Sequence, residues 1–235
     1  STGEGLVWAK SFGHKIIPTK PALTPLKIKN YELSDMSGTS FEELPYTLWR
    51  NGKKIGSYQG DFLLTHTGVS GPGIINNSRF MQSGDVIKCN FVAAESIEEF
   101  RSNLTKKLNH GGKTLVKSIV RELNLTKRFA DKVLELCEIN DDLKCAELTK
   151  ATRQKLLTTL TEYEMEVKEL GGYHVAMVTT GGVSIKEISP KTMESKKVSN
   201  LYFIGEVLDI DGDTGGYNIQ AAMSTAYIAS QAINK

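Results

Sequence analysis

The chain has 235 residues, 40% of them hydrophobic and 24% charged, enough to bury a substantial core as one large domain or two small ones. With 29 Lys and Arg against 27 Asp and Glu, the net charge is +2, which excludes a globally cationic surface made for nucleic acid or acidic membrane. Cys89, Cys137 and Cys145 are odd in number and lack C-x-x-C spacing, which excludes a disulfide framework or paired zinc thiolates and points to a reducing, cytoplasmic setting.

Ser1-Thr-Gly-Glu-Gly5 reads as a loop in mid-fold, so the chain is expected to be a piece excised from a longer polypeptide. The N-terminus lacks the plan of a signal peptide and no apolar run is long enough to span a bilayer, so a membrane is not expected as a partner. Leu6 to Gly13 predicts a short helix stopped by Gly13. Three prolines from Pro18 to Pro25 are expected to forbid a regular element and mark a crossover.

From Leu26 to about Val92 the pattern alternates as strands do, notably in Leu26 to Lys29, Tyr46 to Arg50 and Asp85 to Val92. Asn51-Gly52 predicts a hairpin turn. Ser96 to Leu160 then predicts helices over 97–108, 114–122, 127–137 and 150–159, and Glu162 to Leu170 returns to a strict period of two. After Gly171-Gly172 come an apolar strand Val175 to Val178, a Thr179 to Val183 turn, a strand Leu201 to Ile204 and a closing helix Tyr217 to Ile233. In that helix Ile219, Ala222, Met223, Ala226, Ala229 and Ile233 predict a buried stripe.

The fold class expected is mixed α+β. An antiparallel β-barrel-like domain with a helical subdomain is inserted between two pieces of an incomplete α/β domain. The expected boundaries are 1–22, then 23–172 (barrel-like 23–95 and 161–172, helical 96–160), then 173–235.

The chemistry-bearing motifs are mostly glycine turns. Gly215 and Gly216 open the closing helix, whose free N–H groups suit the electron-rich pyrimidine edge of a flavin; an ordinary tight turn is the plainer reading. Glu206 follows Gly205 where ligands meet the carboxyl edge of a sheet, and its carboxylate can accept from ribityl or ribose hydroxyls. Asp209, Asp211 and Asp213 do not complete a calcium loop, because Gln220 stands at the twelfth position, so a solvated acidic loop and no metal are expected. Thr180, Gly181 and Gly182 either pass against a ring face or shape a bend.

In His66 to Gly73, Ser70 does not sit in a hydrolase elbow and is expected to cap a helix that begins at Pro72. His14, His110 and His174 are read as structural or surface residues, with His66 and His174 as the two that can move protons beside a flavin. Between Arg101 and Lys132, nine basic residues (Arg101, Lys106, Lys107, Lys113, Lys117, Arg121, Lys127, Arg128, Lys132) face only Glu122 and Asp131. With Phe129 the one aromatic among them, a solvated face is preferred and nucleic acid is disfavoured as a partner.

Ser1 to Gly5, Gly13-His14 with Pro21 to Leu26, Thr65 to Pro72, Val178 to Ser184, Pro190 to Lys196 and Gly205 to Gln220 together resemble, in order and along the whole chain, the bacterial YhiN/BaiN-like NAD(P)/FAD-dependent oxidoreductases. The resemblance implies a two-part FAD fold, with 1–22 and 173–235 belonging to the FAD-binding domain. It places Gly3, Thr180, Gly181, Gly182, Gly205, Glu206, Gly215, Gly216, Tyr217, Asn218 and Gln220 at or near the flavin and leaves the catalytic residues unknown. The parent would pass hydride from NAD(P)H through FAD to an unsaturated or carbonyl small molecule.

The family's Gly-x-Gly-x-x-Gly segment is missing from these residues, so the partner expected first is that N-terminal segment of the same protein. Without it the chain is expected to hold FAD poorly and to lack activity, because the pyrophosphate site is gone. The alternative reading is a nucleic-acid or protein binding module that uses the basic helical insert.

Overall fold

The computed structural model describes residues 2–234. In chain order the elements are α1 (Glu4–Ser11), β1 (Ile16–Ala22), β2 (Leu26–Ile28), β3 (Ser40–Arg50), β4 (Lys53–Leu64), β5 (Gly68–Ser70), α2 (Pro72–Ile75) and β6 (Val86–Cys89). They continue with α3 (Ile97–His110), α4 (Val116–Arg121), α5 (Lys127–Leu136), α6 (Lys150–Thr161), β7 (Tyr163–Leu170), β8 (Val178–Val183) and α7 (Tyr217–Ile233). The chain divides into two compact units, one comprising 1–25, 75–80 and 170–235, the other 26–74 and 81–169. The short segment 75–80, which the sequence reading left inside the inserted domain, groups with the flanking pieces.

In the second unit six strands close into a barrel in the order β2-β5-β4-β3-β6-β7, and the neighbours from β2–β5 through to β6–β7 pair antiparallel. Closure leaves no free edge; Lys29 N–H donates to Glu166 O at 2.9 Å where β2 meets β7. The β3–β4 hairpin turns at Asn51 and Gly52, with φ of 51° and 72°, the pair of left-handed residues that a two-residue hairpin of the right twist requires. Alternation along the strands puts Leu44, Tyr46, Leu48, Ile87, Cys89, Met165 and Val167 inside.

Helices α3, α5 and α6 each begin behind a side-chain cap. Ser96 accepts from Glu99 N–H, Thr126 from Phe129 N–H and Thr149 from Thr152 N–H, each satisfying a donor with no intrahelical acceptor. Phe129 packs edge to face on Phe41 and Phe91 at 4.9 and 4.6 Å between centroids, and Phe41 and Phe91 lie tilted at 5.1 Å. All three cysteines are free and buried.

The loop between β4 and β5 owes its glycines to packing. A methyl on Gly68 would stand 2.2 Å from Leu26 O, and one on Gly71, at φ of 94°, 2.6 Å from Asp61 O. Ser70 therefore lies in β5, paired with Leu63, and does not cap α2 as expected; Pro72 does open that helix.

In the first unit β1 and β8 form a two-stranded antiparallel ribbon from Ile16↔Val183 to Ala22↔Val178. The expectation that the prolines forbid an element is overturned. A ribbon of two strands has open edges on which a residue without an N–H is tolerated, and a register shift between Ile17 and Lys20 takes up Pro18. The expected strand Val175 to Val178 and the turn after it are likewise corrected, since Thr179 to Val183 is itself β8. The expected strand Leu201 to Ile204 reduces to a single bridge of Tyr202 with Glu194.

Ala9, Val183, Ile188, Met193, Phe203, Leu208 and Ala229 form the core of this unit. Helix α7 spans the predicted residues, yet of its expected buried stripe only Ala229 is buried. Ile219, Met223 and Ile233 are 73%, 67% and 61% exposed. Its 17 residues include no charge, an unusual composition for a helix facing water on most sides. No helix among the described residues is long and apolar enough to cross a membrane.

Candidate functional site

The glycine-rich segments of the first unit meet around Val207. Val183, the last residue of β8, bridges Leu208 in parallel, which sets the Gly205–Val207 turn beside the strand. A methyl on Gly181 would come within 2.4 Å of Pro18 O and one on Gly182 within 2.6 Å of Val207 O. These two glycines are thus required by close backbone approach to β1 and to the turn.

The turn is anchored in turn on α7. Gly205 N–H donates to Thr225 Oγ1 at 2.9 Å, and a methyl on Gly205 would lie 3.6 Å from Ala222 Cβ. At the start of α1, a methyl on Gly5 would lie 3.4 Å from Val207 Cγ2. The N-terminus of α1, the end of β8, the turn and the second and third turns of α7 therefore share one neighbourhood.

Both helices begin without a side-chain cap. Gly3 before α1 and Gly216 before α7 adopt left-handed φ of 88° and 89°, and neither would bring an added methyl within 4 Å of anything. The first N–H groups of α7 have no intrahelical acceptor, so the helix presents a partial positive charge to open space. That is a place where an anionic or electron-rich group is stabilised.

The acidic loop ahead of α7 departs from the solvated loop expected. Arg79 Nη1 lies 2.7 Å from Asp211 Oδ2 while its N–H is directed to Asp211 O at 3.2 Å, and Nη2 donates to Asp213 Oδ1 at 2.8 Å. Thr180 Oγ1 donates to Asp211 Oδ1 at 2.9 Å, and Asn76 Oδ1 accepts Thr214 N–H at 2.9 Å. Asn218 closes the loop from the other side, accepting Gly212 N–H at 2.8 Å and donating to Gly212 O at 3.0 Å.

Of the residues named from the sequence, Thr180, Gly181, Gly182 and Asn218 have bonds or close approaches within the chain that account for them. Gly205 packs on Ala222 and bonds Thr225, Gly3 and Gly216 have open space where a side chain would stand, Glu206 is exposed, and Gly215 lies against the ring of Tyr217, which is 65% exposed. Gln220 is exposed and donates to Ser224 Oγ along its own helix. The sequence missed Arg79 and Asn76, which lie more than 130 positions from the loop they hold and whose only local signal is a short polar run after Ile74-Ile75.

A second polar centre in this unit is built on His14, which is structural as expected, with partners the sequence did not name. His14 is buried, with Nε2 2.8 Å from Ser195 Oγ and Nδ1 3.1 Å from Glu187 Oε2. The order serine, histidine, carboxylate is that of a hydrolytic triad, but Ser195 Oγ already accepts the N–H groups of Lys197 at 3.0 Å and Val198 at 2.9 Å. Its hydrogen is left for His14, so the group acts as a clamp between α1 and the 187–198 segment. Lys197 Nζ, followed by Lys15 N–H, holds the Glu187 carboxyl down to about 2. His66 and His174, the expected proton carriers, are both exposed.

The linear basic window is largely neutralised. Arg101 pairs with Glu162, Lys107 with Glu122, Lys117 with Asp141, Arg121 with Asp131, and Lys132 with Asp35 and Glu135. No group of three or more His, Cys, Asp or Glu among the described residues is placed to hold a metal ion.

Three characterised proteins are similar along nearly all of the chain. A ribosomal RNA dihydrouridine synthase of Escherichia coli (strain K12) is 32% identical over 224 residues, 95% of this chain and 54% of the relative. A Haemophilus influenzae protein of the same name is 33% identical over 237 residues, 100% of this chain and 57% of the relative. A 3-dehydro-bile acid delta(4,6)-reductase of Clostridium scindens is 27% identical over 239 residues, 99% of this chain and 58% of the relative. The chain thus spans about half the length of the curated relatives it matches. A family model described as the HI0933-like protein Rossmann domain matches residues 1–232, and the chain belongs to that family.

Proposed function

We propose that the chain contributes the barrel-bearing part and one wall of the flavin pocket of an FAD-dependent reductase, whose substrate is an unsaturated ring, with a uracil in RNA favoured over a steroid-like enone. The observation that supports this reading is that Gly3 and Gly216 open α1 and α7 without a side-chain cap and with open space beside them, while the Gly205 turn packs on Ala222 and Thr225 of α7. FAD bound there would supply hydride transfer, with NAD(P)H as the source of the hydride. The N–H groups at the start of α7 would stabilise negative charge on the ring edge as it is reduced, and the Glu206 carboxylate would accept from sugar or ribityl hydroxyls.

Two further features support a pocket shared with the remainder of a longer polypeptide. Helix α7 carries no charge, yet Tyr217, Ile219, Met223 and Tyr227 are each about two-thirds exposed or more. Val7 and Trp8 on α1 are 67% and 65% exposed. Such faces are the kind that a partner segment covers. The preference for RNA rests on the names and the higher identity of the two dihydrouridine synthases; reduction of a uracil 5,6 double bond is hydride transfer to an unsaturated substrate.

The test joins the chain to the upstream segment of the Haemophilus influenzae relative. The joined protein should be yellow, be bleached by NADH or NADPH, and recover its colour on addition of uridine-containing RNA as dihydrouridine forms. The chain by itself should be colourless. Stoichiometric flavin on the chain alone overturns the shared pocket, and a flavin-free joined protein overturns the flavin reading. One observation favours a binding module as the second reading, namely that Gly181 and Gly182 are accounted for by backbone packing alone.

A further inference from the structure

We infer that one end of the helical part of the second unit, formed by Lys106, His110, Lys113, Lys144, Lys150 and Arg153, is the surface that grips the phosphate backbone of a structured RNA; this rests on the RNA reading above. The six residues come from two separate stretches of sequence, 106–113 and 144–153, and the fold brings them to one place. α3 ends at His110, whose Nδ1 lies 2.7 Å from Lys106 O. The chain then turns at Gly111-Gly112 onto the segment after α5.

There Ala146 N–H donates to Gly112 O and Cys145 N–H to Thr114 O, both at 2.9 Å, and Leu115 bridges Lys144. Gly111 sits so close that a methyl on it would be 2.7 Å from Cys145 Sγ. Lys113 and Lys144 are thereby held on adjacent backbone. Helix α6 starts at Lys150 beside this turn, and Arg153 Nη1 donates to Asn109 Oδ1 on the last turn of α3.

Charge selects this patch from the rest of the basic surface. Lys106, Lys113 and Lys150 are exposed and have no ion pair among the described residues. The carboxylates bordering it are Glu147, a distant 3.9 Å from Lys144, Glu122, held by Lys107, and the Asp141-Asp142 pair, where Asp141 lies 3.4 Å from Lys117. An unneutralised cluster that spans several elements attracts a polyanion whose charges are regularly spaced, and it releases counterions on binding. Few aromatic side chains accompany it, so the contact expected is with backbone phosphates and not with stacked bases.

The experiment measures binding of a fluorescein-labelled RNA stem-loop to the full 235-residue chain by anisotropy, with salt raised from about 50 to 200 mM. The triple variant K106Q/K113Q/K150Q should lower the slope of log affinity on log salt by about 3 and weaken binding on the order of 100-fold near 0.1 M salt. The variant K107Q/K117Q/R121Q, which removes cations already paired, should change the slope by less than about 1. An unchanged slope in the first variant overturns the proposal, as does an equal loss in the second. Circular dichroism of both variants checks that the fold is kept. No flavin enters this assay, so failure of the flavin reading leaves its outcome intact, whereas RNA binding without uridine reduction would sink the proposed function and not the patch.

Discussion

Arg79 offers the sharpest test of how the loop before α7 is held. Its side chain is 15% exposed and that of Asp211 13%. Replacing it with Met keeps the aliphatic stem and removes four interactions, the ion pair at 2.7 Å with Asp211, the bond to Asp211 O, the bond to Asp213 and the bond from Nε to Asn76 O at 3.2 Å. Asp211 is left with the Thr180 hydroxyl alone. Breaking a fully buried pair costs about 3–5 kcal/mol. Partial access to water and the surviving Thr180 bond reduce that to about 2–3 kcal/mol.

The loop should therefore open more often without the whole chain unfolding. In hydrogen–deuterium exchange, amides whose protection depends on the loop, such as Asp209 N–H bonded to Val183 O at 2.9 Å and Thr214 N–H bonded to Asn76 at 2.9 Å, should exchange about 30- to 150-fold faster in R79M. R79M/D211N should recover part of that loss, because the neutral amide no longer leaves a charge without a partner. Exchange within about threefold of wild type in R79M, or no recovery in the double variant, would refute the argument.

Two further outcomes follow from named contacts. Gly68→Ala should destabilise the barrel by about 3 kcal/mol or more in urea unfolding, since its methyl would sit 2.2 Å from Leu26 O. Gly38→Ala, where φ is 87° but nothing lies within 4 Å, should cost only about 1 kcal/mol; equal costs would contradict the β2–β5 register. Glu187, whose folded carboxyl sits near 2 against an ordinary 4.5 because of Lys197, stabilises the fold above about pH 4.5, and that contribution is lost as pH falls toward 2. Glu187→Gln should lower the melting temperature at neutral pH and flatten its acid limb across that window. Melting curves of wild type and variant that stay parallel from pH 4.5 to 2 would exclude the His14–Glu187–Lys197 clamp as a source of stability.

Local signals made much of the second unit legible. A helix begins where Ser96, Thr126 and Thr149 can accept from the third residue onward, and Asn51-Gly52 turns because those two residues tolerate positive φ. Such rules operate within a few residues, so they can be read along the chain. Pro18 and Pro21 were misread because the same residue breaks a central strand and is tolerated on the open edges of a ribbon. Which case holds depends on β8, about 160 positions away.

The candidate site divides along the same line. By itself the sequence determined that Gly205 to Gln220 is a turn leading into a helix, and that the helix starts at Tyr217, since glycine freedom and helical periodicity are local properties. Only the tertiary structure decided that Gly181 and Gly182 serve backbone contact, that Arg79 neutralises the acidic loop, and that the stripe of α7 faces outward. It also replaced a linear run of nine cations, most of them paired, with a patch assembled from two stretches. Charge and close contact act through space over a few ångströms, and the order of residues along a chain does not record which distant groups the fold brings within that range.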